Sequence, residues 1–320
     1  MRAVVLNRFG PPGELVPVEV PDPVPGSGQV IVAVVAVSIT FVETQIRAGH
    51  PPHPAMAPAL PVILGNGVGG VISAVGADVE ASLIGRRVVT TTGGSGGYAE
   101  LVAVQHADVI DVPETLDMQT ATALLADGRT ALALMEAAAV RPGETVLVEA
   151  AAGGVGSLLV QLARRAGATV IGAAGGSRKV VVAAELGADV AVDYAEKGWP
   201  ERVLDLAGQV DVVFDGVGGV VGQAAFGLLR DGGRCCTFGM ASGEFTSIAG
   251  ELAARRRITV LRGAPVSAER MRELSRRALD DAVGGGLRPL IGQTYPLSAA
   301  SDAHAAIEAR ATIGKTLLLP

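Results

Sequence analysis

Six short apolar runs, separated by stretches that favour helix, occupy the middle of the chain: "ETVLVEA", "ATVIGAA", "ADVAVDY", "VDVVFDG", "RCCTFGM" and "ITVLRG". Runs without polar alternation suit strands covered on both faces, and strands that alternate with helices pair in parallel to give a doubly wound sheet. Helices are expected between them at Ser157 to Gly167, Lys179 to Leu186 and Gly222 to Leu229. This pattern sets residues 118–264 apart as one α/β domain.

The flanks read differently. Residues 1–117 carry "RAVVL", "GQVIVAVVAVSI", "GVGGVISAVG", "GRRVVTTTGG" and "GYAELVAV", punctuated by Pro and Gly, which predicts a β-rich domain. One short helix is expected from Thr40 to His50, with Phe41, Thr44, Gln45 and Ala48 on one face and Gly49 closing it. Residues 265–320 offer a helix from Ala268 to Ala282, a break at Gly284 to Gly286, a strand near "LIGQTYPL", a further helix and "GKTLLLP".

Composition narrows the partners. A chain of 320 residues with 49% hydrophobic content can bury one or two full cores. Its net charge of −6 offers no basic field, so neither nucleic acid nor an anionic membrane is expected as a partner. The only cysteines, Cys235 and Cys236, are adjacent, which excludes a disulfide framework and a four-cysteine metal lobe and suits a reducing compartment. The start "MRAVVLNRFGPPGE" lacks a signal-type apolar segment, and charges or glycines interrupt every apolar run before roughly 18 residues. A cytoplasmic protein is expected.

The stretch "EAAAGGVGSLLVQLARRAG", Glu149 to Gly167, follows the first of the six runs. In the dinucleotide pattern Gly-x-Gly-x-x-Gly, the glycines permit a tight turn, close approach to a pyrophosphate and close helix packing. The three places here are Ala151, Gly153 and Gly156, with alanine in the first. A strand before and a helix after supply the required context. Ala152, Gly153, Gly154 and Val155 are then candidates to face a diphosphate at the helix start. An NAD site usually ends its second strand with an acid, but here the strand ends "IGAAGG" and Ser177, Arg178 and Lys179 follow, with Tyr194 after the third strand. A 2′-phosphate would gain charge-assisted hydrogen bonds from such a cluster, so NADPH is the expected cofactor.

Together with "AAAGGVG" (Ala150 to Gly156), "GRTAL" (Gly128 to Leu132), "GYAEL" (Gly97 to Leu101), "FDGVGG" (Phe214 to Gly219), "FGMASG" (Phe238 to Gly243) and "AHAAIEARATIGKTLLLP" (Ala303 to Pro320), these features resemble the zinc-independent quinone oxidoreductases of the medium-chain dehydrogenase/reductase superfamily. The resemblance runs nearly end to end. It implies a GroES-like catalytic domain from 1–117 and 265–320, a Rossmann domain from 118–264, and a cleft where they meet. It further implies that Thr130 and Gly153 to Val155 lie near the nicotinamide and diphosphate, Lys179 and Tyr194 on the 2′-phosphate, and Phe238 and Met240 beside the nicotinamide ribose. Arg310 would approach the cofactor across the cleft.

Zinc-dependent relatives place a cysteine near the first-domain helix and a Gly-His-Glu motif later. The matching segments here are "VSITF" and "LGNGVGG", with Asn66 and Gly67 where His and Glu would stand, so no metal is expected. His50 and His53 carry ligand-type side chains, but the intervening prolines prevent a helical pair. Where the family presents an asparagine and two tyrosines to the substrate, this chain has Thr40, Gln45 and Pro51. Thr40 and Gln45 can still donate hydrogen bonds and are the candidate catalytic residues. Thr40 equally suits a helix cap, Glu43 a charge at the positive helix end, and Tyr98 a core position with its hydroxyl on the backbone.

The expected function is hydride transfer from NADPH to a quinone or other activated carbonyl compound of small-molecule size. An enoyl or 2-alkenal reductase on the same scaffold and a non-enzymatic NADPH-binding protein are the alternatives. The run "RITVLRG", Arg257 to Gly263, would leave an open sheet edge in a monomer, so a homodimer is expected.

Overall fold

The computed structural model describes residues 1–262 and 267–320. The expected boundary at 264–265 and the Gly263 end of the last apolar run lie outside the described residues. Two compact units result, one of residues 1–126 with 275–320 and the other of residues 127–274.

The first unit is built on β1 (Arg2–Leu6), β2 (Leu15–Glu19), β3 (Gln29–Ile39), α1 (Phe41–Ala48), β4 (Val62–Ile63), β5 (Gly67–Val75), β6 (Arg87–Thr91), β7 (Leu101–Gln105) and β8 (Ile110–Asp111). β1 lies between β2 and β4, antiparallel to both. β3 is the long central strand, pairing antiparallel with β5 and β7. Most of its residues are buried, so it reads as a continuous apolar run without alternation. The core gathers Leu6, Val32, Leu64, Ile72 and Tyr98.

The 21-residue helix α2 (Met118–Ala138) contains the division between the units. The second unit continues with β9 (Thr145–Glu149), α3 (Gly154–Arg165), β10 (Thr169–Ala174), α4 (Ser177–Glu185), β11 (Val190–Asp193), α5 (Trp199–Ala207), β12 (Val210–Asp215), α6 (Gly219–Leu228), β13 (Leu229–Thr237), α7 (Gly250–Arg255) and β14 (Thr259–Arg262). Among the described residues the six strands form one sheet in the order β11-β10-β9-β12-β13-β14, with every pairing parallel. The strand order reverses at β9, which makes the ends of β9 and β12 the switch point where doubly wound sheets receive ligands. All six expected strands are present, and the fold is the expected doubly wound one beside a GroES-like β-rich unit.

α3, α4 and α6 begin earlier than their residue preferences suggest, at Gly154, Ser177 and Gly219. Glycines read as turn formers locally, yet at the start of α3 a Cβ at Gly154 would stand 2.1 Å from Asp127 Oδ2. α8 (Ala268–Val283), β15 (Ile291–Pro296), α9 (Ala300–Glu308) and β16 (Lys315–Leu319) complete the chain. β16 returns to pair with β3, so the C-terminal strands join the seven-stranded sheet begun by the N-terminal part of the chain.

Candidate active site

In the second unit the chain leaves β9 at Glu149 and turns sharply into α3. Ala150 adopts the left-handed conformation at φ 47°. Gly153 N–H closes the turn onto Ala150 O at 2.7 Å, and Ala151 N–H reaches Ala173 O on β10 at 3.0 Å. A Cβ at Gly156 would stand 2.1 Å from Ala150 O, so only glycine lets α3 approach so closely. The residue in the unusual conformation is therefore Ala150, one place before the alanine that occupies the first fingerprint position. Gly153 is the N-cap, and Ser157 N–H is bonded back to Gly153 O at 2.9 Å. The N–H groups of Gly154, Val155 and Gly156 thus have no acceptor inside the helix, and they carry the positive end of its dipole. Ala152 is buried beneath them. This donor set fits a diphosphate.

α2 contributes Asp127 and Thr130 to the same unit. A Cβ at Gly154 would lie 2.1 Å from Asp127 Oδ2, so this carboxylate rests directly on the helix start. Burial lowers the Arg129 guanidinium pKa, and Asp127 opposes that shift. Sequence reasoning missed both residues. They sit beside Thr130 in the chain, but no local signal places α2 against α3.

Around the end of β10 the structure assembles the expected cluster. Tyr194 covers Gly175, where a Cβ would be 2.9 Å from its Cε2 and 3.2 Å from its hydroxyl. Ser177 and Arg178 are exposed at the start of α4, with Lys179 half-buried behind them. An acid is nearby after all, because Asp193 at the end of β11 accepts N–H groups from Gly176 at 2.9 Å and Ala195 at 2.8 Å through one oxygen. After β13, Phe238 packs its ring on Gly216 and donates its N–H to Asp215 O at 2.9 Å, while Met240 is half-buried in the same turn.

In the first unit, Thr40 is the N-cap of α1. Its N–H and hydroxyl both donate to Glu43 Oε2, at 2.6 and 3.2 Å, and Asn66 N–H donates to Glu43 Oε1 at 2.8 Å. Glu43 is therefore no exposed charge at a helix end. It is 3% exposed, and burial raises its pKa against those three hydrogen bonds. Gln45 Nε2 donates to Thr44 Oγ1 at 3.2 Å. The inward side of α1 carries Glu43, Thr44, Arg47 and the apolar Ile46, which replace the expected face of Phe41, Gln45 and Ala48 beside Thr44. Phe41 instead stacks beneath Arg310, whose guanidinium carbon is 4.5 Å from the ring centre.

Tyr98 is a core residue, but its hydroxyl is bonded to a side chain rather than to backbone. It lies 2.8 Å from His304 Nε2, and burial, with Glu43 adding to it, raises its pKa. His304 Nδ1 is buried and meets no partner, which favours the tautomer with a bare lone pair there. Nε2–H then donates to the Tyr98 oxygen. Arg47 is almost fully buried beside this pair and is bound by Glu308 and by Gly10 O.

Among the described residues no group of three or more His, Cys, Asp or Glu side chains could hold a metal ion, and no helix is long and apolar enough to cross a membrane. Two family models match: an alcohol dehydrogenase GroES-like domain over residues 26–114 and a zinc-binding dehydrogenase domain over residues 154–280. The chain is 33% identical to a 2-haloacrylate reductase from a Burkholderia species over 99% of this chain and 98% of that protein. It is also 33% identical to a quinone oxidoreductase of Pseudomonas aeruginosa over 92% of each. The solved structure of an Escherichia coli quinone oxidoreductase with NADPH superposes with a TM-score of 0.91, at 29% identity and full coverage of both chains.

Proposed function

Since this chain belongs to the quinone oxidoreductase-like family of the medium-chain dehydrogenase/reductase superfamily, we propose that it is an NADPH-dependent oxidoreductase acting on a quinone or other activated carbonyl compound, without zinc. The observation that carries the reading is the second unit's glycine-lined helix start together with Ser177, Arg178, Lys179 and Tyr194 around the end of β10.

When bound, NADPH supplies a hydride from its nicotinamide C4, and the reduction is completed by one proton. The chain's own residues hold and orient it. The first turn of α3 receives the diphosphate through the backbone N–H groups of Gly154 and Val155, with Gly153, Ala152 and Thr130 lining the approach. Arg178 and Lys179 neutralise the 2′-phosphate, Ser177 and Tyr194 donate hydroxyls, and Phe238 and Met240 complete the contacts to the nicotinamide side. Asp193 accepts two backbone N–H groups through one oxygen and keeps its charge, which Arg178 and Lys179 together outweigh.

Thr40 and Gln45 are the groups assigned to the developing negative charge on the acceptor oxygen. Each must redirect a donor: Thr40 from Glu43, Gln45 from Thr44. Asn66 and Gly67 stand where zinc-dependent relatives have ligands, which supports chemistry without that metal. A second acceptor class is favoured by Thr40, Gln45 and Pro51, which lack aromatic walls for a flat quinone, and by the relative named 2-haloacrylate reductase: an activated alkene, reduced at the carbon β to its electron-withdrawing group. The protein is further assigned to the cytoplasm, in keeping with the two buried free thiols, and to a homodimer through the edge strand β14. NADPH oxidation measured with 1,4-benzoquinone, 9,10-phenanthrenequinone and 2-alkenals tests the proposal. No acceptor-dependent oxidation in any of the three would overturn the enzymatic reading and leave an NADPH-binding protein.

A further inference from the structure

Two carboxyl groups are buried together at the switch point of the parallel sheet. Glu149 ends β9 and Asp215 ends β12, the strands are direct neighbours, and both side chains have no exposed surface. The register that pairs Phe214 with Val148 sets Asp215 and Glu149 side by side at the strand ends. Two carboxylates buried side by side repel each other unless one is protonated, and the buried Glu149 Oε1 meets no N–H or O–H donor. One shared proton resolves both facts. Burial first, and then Asp215, raise the Glu149 pKa well above the ordinary carboxyl range.

The remaining oxygens hold the turn that follows β12. Glu149 Oε2 accepts Val217 N–H at 3.0 Å. Asp215 Oδ1 accepts Gly218 N–H at 2.8 Å, and Oδ2 accepts the Thr246 hydroxyl at 2.5 Å. That turn in turn supports the one after β13: Ser242 N–H donates to Val217 O at 2.8 Å, and a Cβ at Gly218 would lie 2.0 Å from Glu244 O. The other neighbours of the pair are Ala173 on β10, Thr237 and the Cys235 thiol on β13, and Gly222 on α6, whose Cβ would meet both Asp215 oxygens at 2.9 Å. Burial and the two acids keep that thiol protonated, and Arg262 on β14 acts on the thiol in the opposite sense.

We propose that Glu149 and Asp215 are positioning residues which, by sharing one proton, hold the turns after β12 and β13 in the shape that receives the nicotinamide half of NADPH. This rests on the reading that NADPH is seated at these strand ends. Loss of the proton would set two negative charges against each other, and relief would require one carboxylate to release Val217, or Gly218 and Thr246. A bound dinucleotide excludes water from the strand ends and adds negative charge, so it binds the protonated pair in preference. Affinity is thereby coupled to proton uptake.

The test is NADPH affinity by nucleotide fluorescence from neutral to alkaline pH, in wild type and in Glu149→Gln, whose amide keeps a donor toward Asp215 at every pH. In wild type the dissociation constant should rise with pH, by up to about tenfold per unit between the pKa values of the free and bound pair. Glu149→Gln should lack that component, changing its affinity by less than about twofold over the same range. Titration of Arg, Lys or the 2′-phosphate is common to both proteins and cancels in the difference. Parallel profiles would overturn the proposal while leaving the cofactor reading intact, whereas absence of NADPH binding in wild type would overturn both. Should Glu149→Gln fail to fold, Asp215→Asn, which also ends the carboxylate pair, must give the same flattened profile; a wild-type slope retained in it would equally refute the shared proton.

Discussion

His304 is held neutral in the first unit's core, and this makes a measurable claim on stability. Its ring is fully buried against Tyr98, and desolvation, with Arg47 adding to it, pushes its pKa from an ordinary 6.5 down to about 3. A folded-state pKa below the unfolded one contributes stability that is present above pH 6.5 and is lost as pH falls toward 3. Below pH 6.5 the unfolded chain takes up a proton that the fold refuses, at about 1.4 kcal/mol per pH unit. At pH 5 the loss from this residue alone amounts to about 2 kcal/mol. His304→Gln keeps a donor toward Tyr98 and cannot titrate, so the difference between the two proteins isolates the histidine from Glu43 and other acids. Urea unfolding at pH 7.5 and 5.0, followed by far-UV circular dichroism, provides the comparison. Fluorescence would report the wrong unit, since the single tryptophan, Trp199, lies in the other one. Wild type should lose about 2 kcal/mol more than the variant on going to pH 5. Equal losses, or an imidazole NMR titration of His304 centred near 6.5, would refute the buried neutral ring.

Four further outcomes are expected. Lys179→Ala should remove most of an at least tenfold preference for NADPH over NADH, because one charge-assisted contact contributes about 1.5–3 kcal/mol; equal dissociation constants of the wild-type protein for the two cofactors would count against the assignment. Thr40→Val and Gln45→Leu should lower kcat with NADPH affinity unchanged, and unaltered turnover in both would remove these residues from the chemistry. Elemental analysis should find no stoichiometric zinc, and chelator should leave activity intact. Light scattering at micromolar concentration should give about twice the mass of one chain if β14 joins two sheets, and a monomer mass would exclude that assembly.

Short-range information determined a great deal of this protein. Apolar runs without alternation are strands buried on both faces, and their alternation with helices forces the parallel order seen from β9 to β14. The glycine at 156 is demanded by a carbonyl six residues earlier in the same turn, so local spacing was enough to find it. Ser177, Arg178 and Lys179 open α4 directly after β10, and their place at that strand end was legible for the same reason. The buried polar pairs were not legible, because an acid or histidine in a sequence looks like surface until a distant segment covers it. His304 meets Tyr98 across 206 positions of the chain. Glu149 meets Asp215 only because β12 crosses over to lie beside β9, and Asp127 meets Gly154 only because α2 packs against the start of α3. Even Glu43, which bonds to Thr40 within its own helix, owes its burial to Asn66 and Tyr98 from elsewhere. Backbone conformation and apolar patterning act over a few residues, whereas the protonation and partners of a buried polar group depend on what the completed fold removes from water. Only the tertiary structure could decide those.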